Sequence, residues 1–436
     1  MAHIGLRCPA FAGHLNTMLP LGQELQRRGH RVTLFGIPDA GPRTVAAGLA
    51  FCPVGAGEFP LGTMAEVFAQ LGILSGVAAL RFTVRWLEKS AAVFLEQAPA
   101  AMKGEKVETL LVDQASPEGG TIAEIADIPF ITVCSAVVLH KDEYIPPFNT
   151  AWPYSSARWA RLRNRAGYFL LERAVEPVRA VVADSRKRWK LPLYRNYNDY
   201  YSPLAQLSQQ PPELEFPRTT LPPWFHFTGP YHDSMSREPI PFPFDRLTGQ
   251  PLIYASMGTV LNRLLWVFRV IAEACIGLEA QLVVSLGGGA RPEWLTDLPG
   301  SPLIVANAPQ LELLRRAALT ITHAGMNTTL ESLANGVPIV AIPVTNDQPG
   351  VAARVAWAGA GVTLSVRRLS VRRLQAAVKR VLAERSYREK ARIMQVAIRR
   401  SGGVAQAAEI IEQVAATGKP VYREVQRSFY GEAVSS

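Results

Sequence analysis

The chain has 436 residues, which is enough for two or three domains of ordinary size. Hydrophobic residues make up 48% and charged residues 19%, a balance typical of a globular protein and not of a disordered one. The formal net charge of +10 would suit a nucleic acid, an anionic lipid or a phosphorylated ligand. Because no zinc-finger or ribonucleoprotein-type motif is present, we expect no nucleic-acid role.

The sequence carries no sign of export or of membrane insertion. No apolar run reaches the roughly 18 residues of a spanning helix, and the first residues lack a signal-peptide pattern. Four scattered cysteines, without C-x-x-C spacing, are typical of thiols in a reducing compartment. We therefore expect a cytoplasmic location. We also expect a monomer, and the basic helices described below make peripheral attachment to an anionic membrane a hypothesis.

The first forty residues predict a strand, a loop, a helix and a second strand. HIGLRCPA is a short apolar strand, AGHLNTM a glycine-containing loop, LPLGQELQRRG an amphipathic helix and HRVTLFGI the next strand. This order is typical of a βαβ unit with a parallel sheet. The strands VETLLVDQ and PFITVCSAVVL continue the sheet, with GTIAEIAD as the helix between them.

The middle of the chain differs in composition. Residues 144–223 predict long amphipathic helices, and basic residues alternate with apolar ones in 158–190 and again in 367–400. Solvated helix faces are the favoured interpretation of this spacing, and a binding surface is the alternative. The proline-dense stretch 217–243 predicts an extended linker.

A second series of short strands and helices begins at PLIYASMG, so the fold class is α/β with two doubly wound, Rossmann-like parallel sheets. Ligands of such sheets bind at the carboxyl ends of the strands, so we expect the domains to face each other across a cleft. We predict a first domain over 1–230, a linker over 231–247 and a second domain over 248–400. A C-terminal helix and tail over 401–436 would pack back on the first domain.

The stretch LTITHAGMNTTLESLANG concentrates hydrogen-bonding groups at a predicted helix start near Met326. His323, Asn327 and Glu331 are spaced by four and share one face of that start. A helix N-terminus binds anions through its free amides and dipole, as a diphosphate requires. Thr328-x-x-Glu331 also fits a capping box that needs no ligand, so the residues alone leave both interpretations open.

Two residues of the first half predict a general base and the carboxylate that orients it. His14 follows the first strand, and imidazole is suited to proton transfer near neutral pH. Asp113 ends a strand of the same sheet, where a carboxylate would stabilise the imidazolium. The alternatives are a polar loop residue for His14 and a helix cap for Asp113.

The run NAPQ at 307–310, followed by THAGMNTTLE, GVP and NDQ, resembles the donor-binding signature of the family 1 glycosyltransferases, which have the GT-B fold. GHLNTMLPLGQELQRRGHRVTLF resembles the opening of the same family. DQPGVAARV at 347–355 and LLVDQASPEGGTIAEIADIPF at 110–130 resemble most its zeaxanthin glucosyltransferase-like bacterial branch. The resemblance implies an inverting transfer of a hexose, glucose first, from a UDP-sugar to a lipophilic alcohol such as a carotenoid or a flavonoid-like compound.

The resemblance also implies roles for the donor-site residues. His323 would bind the β-phosphate, Asn327 and Thr328 the α-phosphate, and Glu331 the ribose. Asp347 and Gln348 would hold the transferred sugar, and Gln310 would lie near the nucleoside. The remaining candidates line the diphosphate or let the backbone approach it: Gly258, Thr259 and Gly325.

One position departs from the family pattern, because Asn307 stands where an aromatic ring usually stacks on uracil. The chain has no Asp-x-Asp and no cluster with metal-ligand spacing, so we expect no metal cofactor and activity that survives chelation. A nucleotide-sugar epimerase and a non-catalytic sugar-nucleotide-binding protein remain alternatives. The pair His14 and Asp113 argues against the first, and the intact donor residues against the second. For the acceptor, we expect 59–86 and 144–170 to border the cleft.

Overall fold

The computed structural model describes residues 1–74, 76–231, 240–258, 264–288, 290–295 and 297–423. Within these ranges the first domain holds a seven-stranded sheet in which all neighbouring strands are parallel, in the order β3-β2-β1-β4-β5-β6-β7. Its strands are β1 (His3–Arg7), β2 (Arg31–Gly36), β3 (Ala50–Pro53), β4 (Thr109–Asp113), β5 (Phe130–Cys134), β6 (Gln206–Ser208) and β7 (Phe225–Phe227).

Helices cover both faces of this sheet. They are α1 (Ala12–Arg27), α2 (Gly41–Ala46), α3 (Thr63–Leu71), α4 (Gly76–Gly104), α5 (Gly119–Ala126), α6 (Arg158–Ala174) and α7 (Glu176–Arg188). Successive residues of β4 point to opposite faces. Leu111 packs in the core that contains α1, and Leu110 and Val112 pack in the core that contains α3 and α4. Both faces of the strand are therefore buried, which explains its unbroken apolar run.

The first helix begins earlier than the sequence predicts. AGHLNTM was expected to be a loop, but α1 starts at Ala12 and runs through Pro20. A proline inside a helix removes one backbone hydrogen bond, so pattern reasoning places a helix boundary beside it. The consequence is that His14 lies in the first turn of α1 and not in a loop.

Part of the proline-dense stretch is also not a linker. Phe225–Phe227 forms β7, which pairs with β6 at the edge of the first sheet. Because an edge strand needs its backbone donors on one side only, prolines can flank it closely. Of the expected linker 231–247, residues 232–239 lie outside the described residues.

In the described part of the second half, six parallel strands form another sheet, in the order β10-β9-β8-β11-β12-β13. They are β8 (Leu252–Ser256), β9 (Gln281–Ser285), β10 (Leu303–Val305), β11 (Ala317–Thr322), β12 (Ile339–Ala341) and β13 (Gly361–Thr363). The helices are α8 (Leu265–Ala274), α9 (Gln310–Leu314), α10 (Met326–Ala334), α11 (Gln348–Trp357), α12 (Val371–Ala383), α13 (Arg385–Arg400) and α14 (Gly403–Thr417).

The last of these helices belongs to the core of the first domain. Ala407, Ile411 and Val414 of α14 are buried in the cluster that contains β1 and α1. Glu412 lies 2.9 Å from Arg28 and 3.0 Å from His30. The chain therefore returns to its first domain after completing its second sheet.

Helix α11 makes the tightest described contact between the domains. Gly350 lies so close to the Phe148 carbonyl oxygen that a Cβ there would overlap it. One turn further along, Arg354 donates to Glu215 of the first domain with N···O distances of 2.6 and 2.9 Å. Both partners are buried, and the guanidinium also lies 4.5 Å from the centre of the Phe216 ring.

Because Gly350 abuts backbone, which cannot rotate away as a side chain can, we expect Gly350→Ala to lower stability by roughly 1–3 kcal/mol, the usual cost of overpacking. Differential scanning calorimetry would measure the shift. Gly57→Ala is the matched control, because a Cβ there meets nothing within 4 Å. Equal melting temperatures for the two variants would contradict the tight interdomain contact.

Candidate functional site

A cleft of about 500 Å³ lies between the two sheets and is lined by both domains. The carboxyl ends of β1, β5, β8 and β11 lie at this cleft. The predicted site residues that line it are His14, Gly258, Asn307, Gln310, His323, Gly325, Asn327, Thr328, Glu331, Asp347 and Gln348. Asp113 lies behind His14, and Thr259 lies outside the described residues.

His14 and Asp113 are in direct contact. The His14 Nδ1 lies 2.8 Å from Asp113 Oδ2, and the other carboxylate oxygen accepts the Ala115 N–H at 2.8 Å. Asp113 is fully buried, whereas the His14 side chain is 20% exposed to the cleft. Helix α5 begins only at Gly119, so the alternative that Asp113 caps it is wrong. Its carboxylate instead fixes the ring of His14.

The charges around His14 favour its protonated form. Burial by itself lowers the pKa of His14, but the Asp113 carboxylate, the hydrogen bond to it and the nearby Asp347 raise the pKa above its ordinary value of 6.5. Asp347 belongs to the second domain. The electrostatic link therefore joins residues of the two domains across the cleft.

Sequence reasoning missed two polar residues beside this pair. The Ser135 hydroxyl lies 2.7 Å from His14 Nδ1, and Gln209 donates to the backbone oxygen of Ser135. The Gln209 amide also donates to Asn327 Oδ1 at 3.1 Å. Ser135 directly follows β5 and Gln209 directly follows β6, so the strand-end rule that pointed to Asp113 could have found both.

On the donor side, the ring of His323 lies between two glycines. A Cβ at Gly258 or at Gly325 would come within 2.5 Å of ring atoms of His323. Gly258 also has a φ of +76°, which favours glycine. Burial lowers the pKa of His323 to about 4, although a hydrogen bond to the Ser256 backbone raises it. The ring is therefore neutral near pH 7 and donates a hydrogen from one nitrogen only.

Helix α10 begins at Met326 as predicted, with Gly325 as its N-cap. None of the described side chains caps this end. Thr328 lies inside the helix, so the capping-box alternative for Thr328 and Glu331 is wrong. The first-turn amides of α10 face the cleft beside His323, an arrangement suited to an anion.

Gln310 connects the polar residues at the back of the donor side. Its Nε2 donates to Glu331 Oε2 at 2.6 Å and lies 3.4 Å from Thr328 Oγ1. Its Oε1 accepts the Tyr254 hydroxyl at 3.0 Å. Tyr254, which also lines the cleft, was not identified from the sequence, because it looks like one more apolar residue of β8.

Asn327 bridges the domains in this structure. Its Nδ2 donates to the Gly13 carbonyl oxygen at 2.9 Å, and its Oδ1 accepts from Gln209. Gly13 directly precedes His14, so α10 is tied to the turn that carries the imidazole. One of the two Nδ2 hydrogens of Asn327 makes this hydrogen bond to Gly13.

The segment before α11 holds Asp347 and Gln348. Gln348 Oε1 accepts the amides of Val344 and Thr345 at 2.9 and 3.2 Å, so it closes the turn and leaves its amide nitrogen for other partners. Burial raises the pKa of Asp347, against the lowering effect of His14 and of the Val137 backbone. Asn346 has a φ of +55°, a strained conformation of the kind that concentrates at functional sites.

Asn307 lies at the rim of the cleft, close to Gly288. Its side chain is exposed and offers no ring for a base to stack on. Among the described second-domain residues that line the cleft, Tyr254 is the only Phe, Tyr or Trp. Its hydroxyl donates a hydrogen bond to Gln310.

The first-domain wall of the cleft is mainly apolar and aromatic. From the predicted segments come Leu80, Thr83, Val84 and Phe148. Much of the wall comes instead from a stretch that sequence reasoning did not assign to the cleft: Val175, Val178, Arg179, Tyr197, Tyr200 and Tyr201. Its spacing is that of ordinary core packing, so only the fold shows that it faces the cleft.

Across the described ranges, no three His, Cys, Asp or Glu side chains are grouped so that they could hold a metal ion. No helix in those ranges is long and apolar enough to span a bilayer.

The contact between His14 and Asp113 makes a prediction that NMR can check. In ring-labelled enzyme we expect His14 to titrate above 6.5 and His323 at about 4. Asp113→Asn removes the carboxylate charge, so the pKa of His14 should fall while that of His323 stays unchanged. A His14 titration that is insensitive to Asp113→Asn would contradict the electrostatic role of this contact.

Residues 87–399 match the family model "UDP-glucoronosyl and UDP-glucosyl transferase". The zeaxanthin glucosyltransferase of Pantoea ananas is 31% identical over 97% of this chain and 98% of its own length. That of Pseudescherichia vulneris is 28% identical over 97% and 100%. The solved structure of a kitacinnamycin glycotransferase superposes with a TM-score of 0.74 at 23% identity, covering 94% of this chain and 98% of that one.

The predicted fold class and family are therefore confirmed. The fold has two facing parallel-sheet domains, and the family model covers most of the chain. One relative is more than 30% identical to it. The chain belongs to the UDP-glucoronosyl and UDP-glucosyl transferase family and is a UDP-sugar-dependent glycosyltransferase of GT-B fold.

Proposed function

We propose that this enzyme transfers glucose from UDP-glucose to a hydroxyl of a lipophilic alcohol of the carotenoid class, with inversion at the anomeric carbon. The observation that carries the proposal is that His14, held by Asp113 behind it, lines the same cleft as His323 and the N-terminus of α10. A base and an anion site thus face each other across one cavity.

His14 is the general base of this proposal. Its Nδ1 faces Asp113 and Ser135, so Nε2 is the nitrogen that takes the proton of the acceptor hydroxyl. The acceptor oxygen then attacks the anomeric carbon from the side opposite the nucleotide. As the new C–O bond forms, the bond to the β-phosphate oxygen breaks. Asp113 stabilises the imidazolium that results.

The departing UDP carries the negative charge toward the second domain. The first-turn amides and dipole of α10 stabilise that charge, and neutral His323 donates one hydrogen bond to it. Gln310 holds Glu331 in position to accept from the ribose hydroxyls. These fixed protein dipoles stabilise the charge of the leaving UDP, a role that a metal ion has in other glycosyltransferases. We therefore infer a metal-independent reaction.

Asp347 and Gln348 are assigned to the transferred sugar. Gln348 presents its amide nitrogen because its oxygen is engaged by the turn. Asp347 lies close enough to His14 to influence its pKa, which suits a sugar held beside the base. Glucose is the proposed sugar because two relatives are glucosyltransferases by name.

The acceptor is proposed to lie along the apolar wall of the first domain. Leu80, Val84 and Val178 contribute aliphatic surface, and Tyr200 and Tyr201 contribute aromatic surface. Such a wall stabilises an extended apolar molecule and brings its polar end to His14. The zeaxanthin glucosyltransferase relatives support a carotenoid alcohol over a flavonoid-like one.

Incubation with UDP-glucose and zeaxanthin is expected to give a β-glucoside, identified by mass spectrometry and the anomeric proton coupling. His14→Ala should lower kcat on the order of 10²- to 10⁴-fold, because general-base catalysis contributes about that much. The control is His30→Ala, since His30 lies away from the cleft beside Glu412.

An α-linked product would rule out a single displacement. Near-normal turnover by His14→Ala would rule out this base. Turnover of a flavonoid but not of zeaxanthin would replace the acceptor class while leaving the mechanism standing.

A second test concerns the nucleotide base. Placing a ring at the cleft rim with Asn307→Trp should strengthen binding of UDP by roughly 1–3 kcal/mol, because a base stacks on aromatic side chains. Isothermal titration calorimetry with UDP would measure the gain. Asn307→Ala adds no ring and should leave affinity unchanged. Equal affinities for the Trp and Ala variants would show that the base binds away from residue 307.

A further inference from the structure

The outward face of α6 carries large apolar side chains that are exposed and not packed in the core. Its buried residues are Ala160, Asn164, Tyr168 and Leu171. On the opposite face, four large apolar side chains are between 59% and 67% exposed: Trp159, Leu162, Phe169 and Leu170. With Ala166, they recur every three or four residues and form one stripe along the helix. We name these five residues the α6 stripe.

Basic residues border the α6 stripe. Helix α6 contains five arginines and one glutamate. Arg161 and Arg165 lie beside the single carboxylate of Glu143. Arg158 and Arg173, near the two ends of the stripe, make no ion pair with any described residue. The face therefore combines apolar surface with excess positive charge. The sequence favoured a solvated face for this segment and left a binding surface as the alternative.

The chain runs directly from α6 into the apolar wall of the cleft. Helix α6 ends at Ala174, and Val175 lines the cleft and packs with Leu80 and Val84 of α4. One turn before Leu80, the exposed Val77 continues the apolar surface outward. The stripe and the apolar wall of the cleft are therefore carried by adjoining segments of the chain.

We infer that the α6 stripe docks on an anionic phospholipid bilayer, with Leu162 and Phe169 in the acyl boundary and Arg158 and Arg173 at the headgroups. An amphipathic helix with aromatic and aliphatic residues on one side and arginines beside them has the character of an interfacial helix. A second copy of the chain is disfavoured as the occupant, because it would bring the same arginines and a net charge of +10 to the interface. The part of the inference that explains the location beside the cleft rests on the proposed lipophilic acceptor.

The test is co-sedimentation of the full chain with vesicles of phosphatidylethanolamine and phosphatidylglycerol, and with phosphatidylcholine vesicles alone. We expect binding to the anionic vesicles, weakened by 0.5 M salt, and little binding to the neutral ones. Leu162→Ser with Phe169→Ser should weaken binding at least tenfold, and Arg158→Gln with Arg173→Gln should remove its salt sensitivity.

The matched control lies on α13, another basic helix with exposed aliphatic residues. Ile393→Ser with Val396→Ser should leave vesicle binding unchanged. Circular dichroism melting checks that every variant is folded. Because binding is measured without turnover, its outcome is separate from that of the proposed reaction.

Three results would overturn the inference. They are absence of binding to anionic vesicles, equal weakening by the α6 and α13 variants, and a dimer in sedimentation velocity that Leu162→Ser with Phe169→Ser dissociates while vesicles fail to bind. The last result would assign the α6 stripe to a second copy.

Discussion

The contact of α11 with the first domain fixes the geometry on which the site depends. The carboxyl ends of the strands in two separate sheets can form one site only if they face each other at a constant distance. Gly350 sets the closest approach against the backbone of Phe148, and the buried pair of Arg354 and Glu215 sets the orientation. Removing one partner of such a pair leaves an uncompensated buried charge, at a cost of roughly 3–5 kcal/mol. Helix α11 also carries Gln348 at its start, so the interface and the donor side share one rigid element.

A second, polar connection runs through the cleft itself. From Asn327 it passes to Gly13 and, through Gln209, to Ser135 and the ring of His14. This route gives a physical means by which occupancy of the donor side would influence the base. A phosphate bound by the Asn327 amide would compete with the Gly13 oxygen for the same donor. The same residue that resembles a phosphate ligand is thus built into the support of the imidazole.

The sequence predicted the parts of the site that follow directly from strand order. His14 follows β1, Asp113 ends the neighbouring parallel strand β4, and β11 leads into α10 at Gly325. Their positions at the carboxyl edges of the two sheets therefore follow from topology. Pro20 hid the true start of α1, and prolines around β7 hid an edge strand. Tyr254 and the tyrosines at 197–201 were beyond reach, because their spacing is that of core residues and only tertiary packing turns them toward the cleft. The α6 stripe was hidden for another reason: alternation of basic and apolar residues does not show which of the apolar ones remain exposed.

The return of α14 to the first domain has a consequence for biosynthesis. Ala407, Ile411 and Val414 fill a core whose other residues come mainly from α1 and from strands of the first sheet, β1, β2, β4, β5 and β6. During translation those early elements leave the ribosome long before α14, while the complete second sheet is made in between. Part of the apolar core of the first domain therefore stays uncovered until α14 has been synthesised, although domains made first commonly fold first. In this chain the order of synthesis and the order of completion are reversed: the half made second can finish its sheet before the half made first can close its core.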